Sequence, residues 1–246
     1  MRFWIVYPLL RLLRAFARVF YTIDVKWVRD APDQRWVDFH LVAILNHTSL
    51  FECLLAGTVT PEFLSRMARR GVVPIASKTI ERPLVGRFWK MIAGEVVSIS
   101  RERDHTWEAV LESVKGDKQV MLLPEGHMKR RNGLDSKGRP MTVRGGIADL
   151  MVAIGEGPML LAYSHGLHHI QAPGEGLPKL FKTISLRLER IQIEDYIVSL
   201  GVDPQDERAF RRAVVADLTA RRDRYCRPDS DDGSEKVDDG RWSGPD

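Results

Sequence analysis

The sequence predicts an α/β domain in which a mixed sheet is flanked by helices. Three observations carry that expectation. The stretch 41–46 is short and almost wholly apolar, as a strand covered on both faces should be. Similar runs recur at 72–76, 96–99, 119–123 and 159–163, with helical patterns between them, and that alternation implies a largely parallel or mixed sheet. A chain of 246 residues supplies one sizeable α/β domain but not two with linkers.

Taken in order, the elements begin with a helix over the first 21 residues. It is dominated by Phe, Trp, Leu and Val, with Arg11, Arg14 and Arg18 on one helical stripe. The apolar residues never reach the ~18 uninterrupted positions of a spanning helix, and no small-residue cleavage site follows them. Segment 1–24 is therefore expected to lie as an amphipathic helix in a membrane interface, with rings and leucines in the acyl boundary and arginines at phosphates. An amphipathic helix packed on its own domain is the competing reading.

Strand 41–46 then leads to His47 and a helix over 50–58. Further helices are expected at 61–70, 84–92, 104–115, 145–155 and 206–224, and the alternating 184–188 continues as a strand through 191–193. The main domain spans 25–226. In the tail 227–246, seven acids stand against three bases among Ser, Gly and Pro, a composition that predicts disorder. The net charge of +4 thus conceals a more basic body, suited to anionic partners such as lipid headgroups, coenzyme A or acyl carrier protein. No zinc-finger, homeodomain, RNP or zipper pattern points to nucleic acid. Cys53 and Cys226 form neither a disulfide framework nor a zinc spacing, which fits a reducing compartment.

His47 sits at a strand-to-helix junction, the place where clefts open at the carboxyl edge of an α/β sheet. A neutral imidazole there can take a proton from a hydroxyl, and a carboxylate beside it fixes the tautomer and stabilises the imidazolium. Glu52, five positions on, is the candidate partner. Five residues on one helix are about 140° apart, so the two meet only if His47 lies in the turn before the helix. Ser49-Leu50-Phe51-Glu52 also fits a capping box, which gives Glu52 a purely structural alternative. Downstream, Glu125 and Gly126 follow the apolar run 120–123, so they too sit at a strand end. Glu125 can accept from a diol and Gly126 permits close approach, although Pro-Glu-Gly also suits an ordinary turn. Lys129, Arg130 and Arg131 offer charge to a phosphate or form a solvated basic loop. His165, His168 and His169 invite a metal, but no Asp, Glu or Cys lies near them at ligand spacing.

In order along the chain, Asn46-His47 with Glu52, Gly94 to Arg101, and Pro124-Glu125-Gly126 resemble the motifs of the glycerolipid acyltransferases typified by 1-acylglycerol-3-phosphate acyltransferase. Glu52 stands where that family has Asp, and His127 and Met128 stand where it has Thr and Arg. Weaker agreements are Ala76-Ser77-Lys78, Pro83, Gly86, Arg144 to Ala148 and a fourth strand motif at 157–162, so the resemblance covers about residues 40–165. It implies a glycerolipid-acyltransferase-like domain moving a fatty acyl group from acyl-CoA or acyl carrier protein to a lysophospholipid hydroxyl. His47 would be the general base and Glu52 its orienting partner, while Arg101, Glu125, Gly126, Lys129 and Arg130 would contact substrate. The reaction requires no metal or cofactor beyond the acyl thioester co-substrate, and the expected location is the cytoplasmic face of a membrane. The departures leave open a non-phosphate acceptor, such as an amino-acid or sugar lipid, and a catalytically silent lipid-binding protein on the same fold.

Overall fold

The computed structural model describes residues 2–29, 36, 38–100, 105–130, 132–135, 137–172, 175 and 177–226. The expectations for Arg101, Arg131 and the tail 227–246 lie outside them. Seven strands are described: β1 (Thr22–Trp27), β2 (Leu41–Leu45), β3 (Gly71–Ala76), β4 (Glu95–Ile99), β5 (Gln119–Leu122), β6 (Pro158–His165) and β7 (Thr183–Gln192). The helices are α1 (Phe3–Phe20), α2 (Pro61–Arg70), α3 (Ser77–Ile80), α4 (Pro83–Ile92), α5 (His105–Ser113), α6 (Gly146–Ile154), α7 (Leu167–Ile170), α8 (Ile193–Ser199) and α9 (Glu207–Tyr225), with a 3₁₀ helix at Glu52–Gly57.

The strands form one mixed sheet in the order β1-β7-β6-β2-β5-β3-β4. Only the β6–β7 pairing is antiparallel, and the others are parallel. β2 lies at the centre and is buried along its whole length, which explains its unbroken apolar sequence. Its alternate residues serve two cores. Val42 and Ile44 pack with α1, the 3₁₀ helix and α2, while Leu41, Ala43 and Leu45 pack with α6 and α9 on the other face. Local signals set the helix starts. Thr60 Oγ1 accepts from the Phe63 N–H with Pro61 at the first helical position, and Asp206 accepts from the Ala209 N–H.

β1 is not among the sequence expectations, and residues 22–24 belong to it rather than to the N-terminal helix. Ile23, Val25 and Trp27 alternate with Asp24 and Lys26, and the strand sits at the sheet edge with its charged residues outward, as edge strands favour. The expected helix at 50–58 is the shorter 3₁₀ helix, because residues 48–51 are occupied by the turn that carries the candidate site. α1 docks closely where Ala17, fully buried, meets Gly57. A Cβ at Gly57 would stand 3.1 Å from that of Ala17. Arg14 and Arg18 fasten the same contact by donating to the carbonyls of Val59 and Gly57 at 2.8 and 3.0 Å. Among the described residues no helix is long and apolar enough to cross a membrane.

Candidate active site

The site follows from the sheet topology. β2 leads into the 3₁₀ helix and α2 on one face, whereas β5 leads into α6 on the other. Neighbouring parallel strands whose connections diverge to opposite faces leave a crevice beyond their carboxyl ends. His47 follows β2 and Glu125 follows β5, so the fold delivers both to that crevice.

At the end of β2 the chain turns sharply. Asn46 adopts a left-handed conformation with φ 70°, which Asn tolerates better than most residues. Its side-chain amide donates to the Ser164 carbonyl at 2.8 Å, and the Ser164 hydroxyl donates back to the Leu45 carbonyl at 3.1 Å. The turn points the His47 ring toward Glu52, with Nδ1 and Oε1 2.8 Å apart. The same Glu52 oxygen accepts from the Ser49 N–H at 3.2 Å, while Ser49 Oγ accepts from the Phe51 N–H. One buried carboxylate therefore orients the imidazole and closes half of a capping box.

The hydrogen bond to Glu52 assigns the proton of the neutral ring to Nδ1 and leaves Nε2 as the basic nitrogen. Burial alone would lower the His47 pKa, but the Glu52 charge, its hydrogen bond and the charge of Glu125 outweigh it and hold the group above the ordinary histidine value. Burial together with the adjacent Glu52 pushes the Cys53 thiol up to about 12, so this sulfur stays protonated at neutral pH and is no nucleophile.

Glu125 is 1% exposed and directs both oxygens at the His47 turn, accepting from the Asn46 N–H at 2.9 Å and the His47 N–H at 2.8 Å. The Lys129 N–H donates to the His47 carbonyl at 2.7 Å, so the two strand-end loops are clasped together. Arg222 of α9, itself buried, lies 3.6 Å from Glu125 Oε1 and donates to the Met141 carbonyl at 2.8 Å. Gly126 has a left-handed φ of 66°, which suits the turn after β5.

A cavity of about 640 Å³ lies between the sheet and the α1–α2 layer, within the usual range for small-molecule sites. Leu10 and Leu13 of α1, Val42 and Ile44 of β2, and Phe63 and Met67 of α2 are among its apolar walls. His47, Glu52, Gly126, His127 and Arg130 also line it, joined by Lys78 of α3 and by Arg82. Of the expected site residues, His47, Glu52, Gly126 and Arg130 thus share one cavity. Glu125 holds the His47 turn through the two backbone N–H groups, and Lys129 donates its own N–H to the His47 carbonyl. His165 lies at the end of β6, with Nδ1 donating to the Cys226 carbonyl at 3.1 Å, and the His168 and His169 rings stand 3.9 Å apart. Among the described residues, no group of three or more His, Cys, Asp or Glu is placed to hold a metal ion.

Ser164 and Arg222 enter the site without having been expected there, and Asn46, quoted only as the first residue of the motif, holds the turn before His47. A polar residue ending an apolar strand is the signal that marks Asn46 as structural, whereas Arg222 is one of many arginines in α9 and carries no local mark. Compared with known proteins, the sequence matches no family model and no curated protein.

Proposed function

We propose that this protein is an O-acyltransferase moving a fatty acyl group from acyl-CoA or acyl carrier protein to the hydroxyl of a lysophospholipid at the cytoplasmic face of a membrane, with α1 in the interface. The observation that carries the reading is the His47–Glu52 pair, 2.8 Å apart, in the wall of a large, mostly apolar cavity. A base with a fixed tautomer meets a space suited to a hydrocarbon chain. The acceptor oxygen attacks the thioester carbonyl carbon while His47 Nε2 takes its proton. As the tetrahedral centre collapses the carbon–sulfur bond breaks, and the imidazolium returns the proton to the departing sulfur, giving an ester and a thiol. Glu52 holds the ring and stabilises its charged form. Burial keeps Cys53 protonated, and the proposed transfer runs directly from thioester to acceptor without an acyl-enzyme.

Arg130, with Lys129 beside it, supplies charge for an acceptor phosphate, and the order of motifs resembling those of glycerolipid acyltransferases fits this choice. Met128 lines the cavity where those enzymes have arginine, which favours a second reading, an acceptor without phosphate. The test is incubation of the purified chain with labelled acyl-CoA and acyl carrier protein against a panel of lysolipids. Ester formation is expected with lysophosphatidic acid and its loss, by ~10²–10⁴-fold, in His47→Ala assayed at a temperature where circular dichroism shows the variant folded. Product with only sugar or amino-acid lipids selects the second reading, and no product with any acceptor refutes both.

A further inference from the structure

The outer face of α1 is apolar where a helix on a soluble domain is polar. Trp4, Ile5, Leu12, Phe16 and Val19 are between 43% and 78% exposed, and at 100° per residue they fall within an arc of about 120°. Val6, Leu10 and Ala17 occupy the opposite, buried side. A helix apolar on both sides needs an apolar environment on both. Residues 3–20 contain no acid, and Arg11 and Arg18 lie along one border of the exposed arc.

A second segment continues this surface. In Leu177-Pro178-Lys179-Leu180-Phe181-Lys182, Leu177 is 88%, Leu180 40% and Phe181 75% exposed. Phe181 adopts a left-handed φ of 57°, a conformation aromatic residues avoid unless their surroundings impose it. Its N–H donates to the Phe20 carbonyl at 2.8 Å, and the two rings lie 5.8 Å apart, so the end of α1 holds the loop in place. This segment also lacks acids, and its lysines flank the apolar side chains. Lys179 is additionally paired with Glu175 at 3.6 Å.

The loop also sits at a particular edge. β7 runs antiparallel to β6, and β6 parallel to β2, so the start of β7 and the end of β2 share one edge of the sheet. Phe181, two residues before β7, stands at the edge where β2 delivers His47. We propose that 177–182 is a second membrane-insertion element which, with the outer face of α1, docks the protein on an anionic bilayer so that the cleft edge meets the headgroup layer. The orientation has its meaning only if the proposed acyl transfer holds, but docking itself is independent of it. Two copies joined by this surface would set Arg11, Arg18, Lys179 and Lys182 against their counterparts, whereas anionic headgroups complement them.

The test uses the full chain, with Leu177→Glu and Phe181→Glu, on phosphatidylcholine–phosphatidylglycerol and on pure phosphatidylcholine vesicles. Wild-type protein should sediment with the mixed vesicles and weaken with salt, and each variant should partition about tenfold less. Acyl transfer to detergent-dispersed lysolipid should be unchanged in both. Phe181→Trp should bind as wild type. If Phe181→Glu lowers the melting temperature, Leu177→Glu decides, because Leu177 is almost free of packing. Wild-type vesicle binding in both glutamate variants overturns the proposal, as does a wild-type dimer that either variant converts to monomer. Loss of vesicle binding in variants of a chain that transfers no acyl group in detergent upholds the docking and fails the acyl-transfer reading instead.

Discussion

Replacing Glu125 with Gln keeps the shape of the side chain and removes one acceptor, which makes it the sharpest probe of how the His47 turn is held. The carboxylate accepts from two successive backbone N–H groups at 2.9 and 2.8 Å while almost fully buried. In the Glu125→Gln variant one oxygen still accepts, but an NH₂ faces the other N–H. A charge-assisted hydrogen bond worth about 1.5–3 kcal/mol disappears, and a buried donor is left without a partner at a similar penalty. With partial relaxation the loss should be about 3 kcal/mol. At about 2–4 °C per kcal/mol for a domain of this size, the melting temperature should fall by roughly 6–12 °C. The turn should also shift, and a displacement of about 1 Å at a reacting group lowers the rate by on the order of 10²-fold. Calorimetry and steady-state acyl transfer measure the two effects, with kcat falling and the acceptor KM nearly unchanged. If Glu125 instead binds the acceptor hydroxyls, the substitution raises the acceptor KM and leaves the melting temperature alone, and that outcome would refute the bracing role.

Glu52→Gln should preserve both hydrogen bonds of the carboxylate, since an amide oxygen can accept from Ser49 and from the His47 Nδ1–H, but it removes the charge. His47, raised in the folded protein, is protonated and inactive below its pKa, so wild-type kcat/KM should rise with pH through a value above that of ordinary histidine. In the variant this acid limb moves to lower pH, and an unmoved limb refutes the coupling. The stability that His47 gains from Glu52 is present below the unfolded histidine pKa and is lost as pH rises through the folded one, a slope the variant should flatten. On the opposite face of the sheet, buried Glu189 accepts from Arg221 at 2.8 and 2.9 Å and from the Tyr163 hydroxyl at 2.7 Å. Arg221→Ala should lower stability by about 3 kcal/mol in urea titration with little change in kcat per folded molecule, and a loss below about 1 kcal/mol refutes the account.

What the sequence makes legible is local. The unbroken apolar stretch at β2 announces a covered central strand, and the apolar period of α9 announces a helix. The pairing of His47 with Glu52 is legible as a possibility from spacing alone, but not its form. Orienting and capping look like alternatives on paper, and both occur because a single carboxylate oxygen has two lone pairs and two donors nearby. β1 shows its alternation yet escapes notice, since an edge strand with charged residues outward resembles a loop. Arg222 near Glu125 is illegible because 97 residues separate them, and only the sheet order brings α9 beneath the β5 loop. Phe181 is hidden for a related reason. Its exposure depends on how Phe20 and β7 meet, not on its neighbours in sequence.

The contact between Arg222 and Glu125 also ties the site to a helix far along the chain. His47 comes early in the chain, and Glu125, which accepts from its N–H, lies 78 residues later. Arg222 of α9 places a cation 3.6 Å from the buried Glu125. An acid in that position is unfavourable on its own. The His47 turn is therefore assembled from three distant parts of the chain, the end of β2, the loop after β5 and α9. A chain shortened before α9 would keep every short motif around His47 and lose the cation that stands beside the buried Glu125.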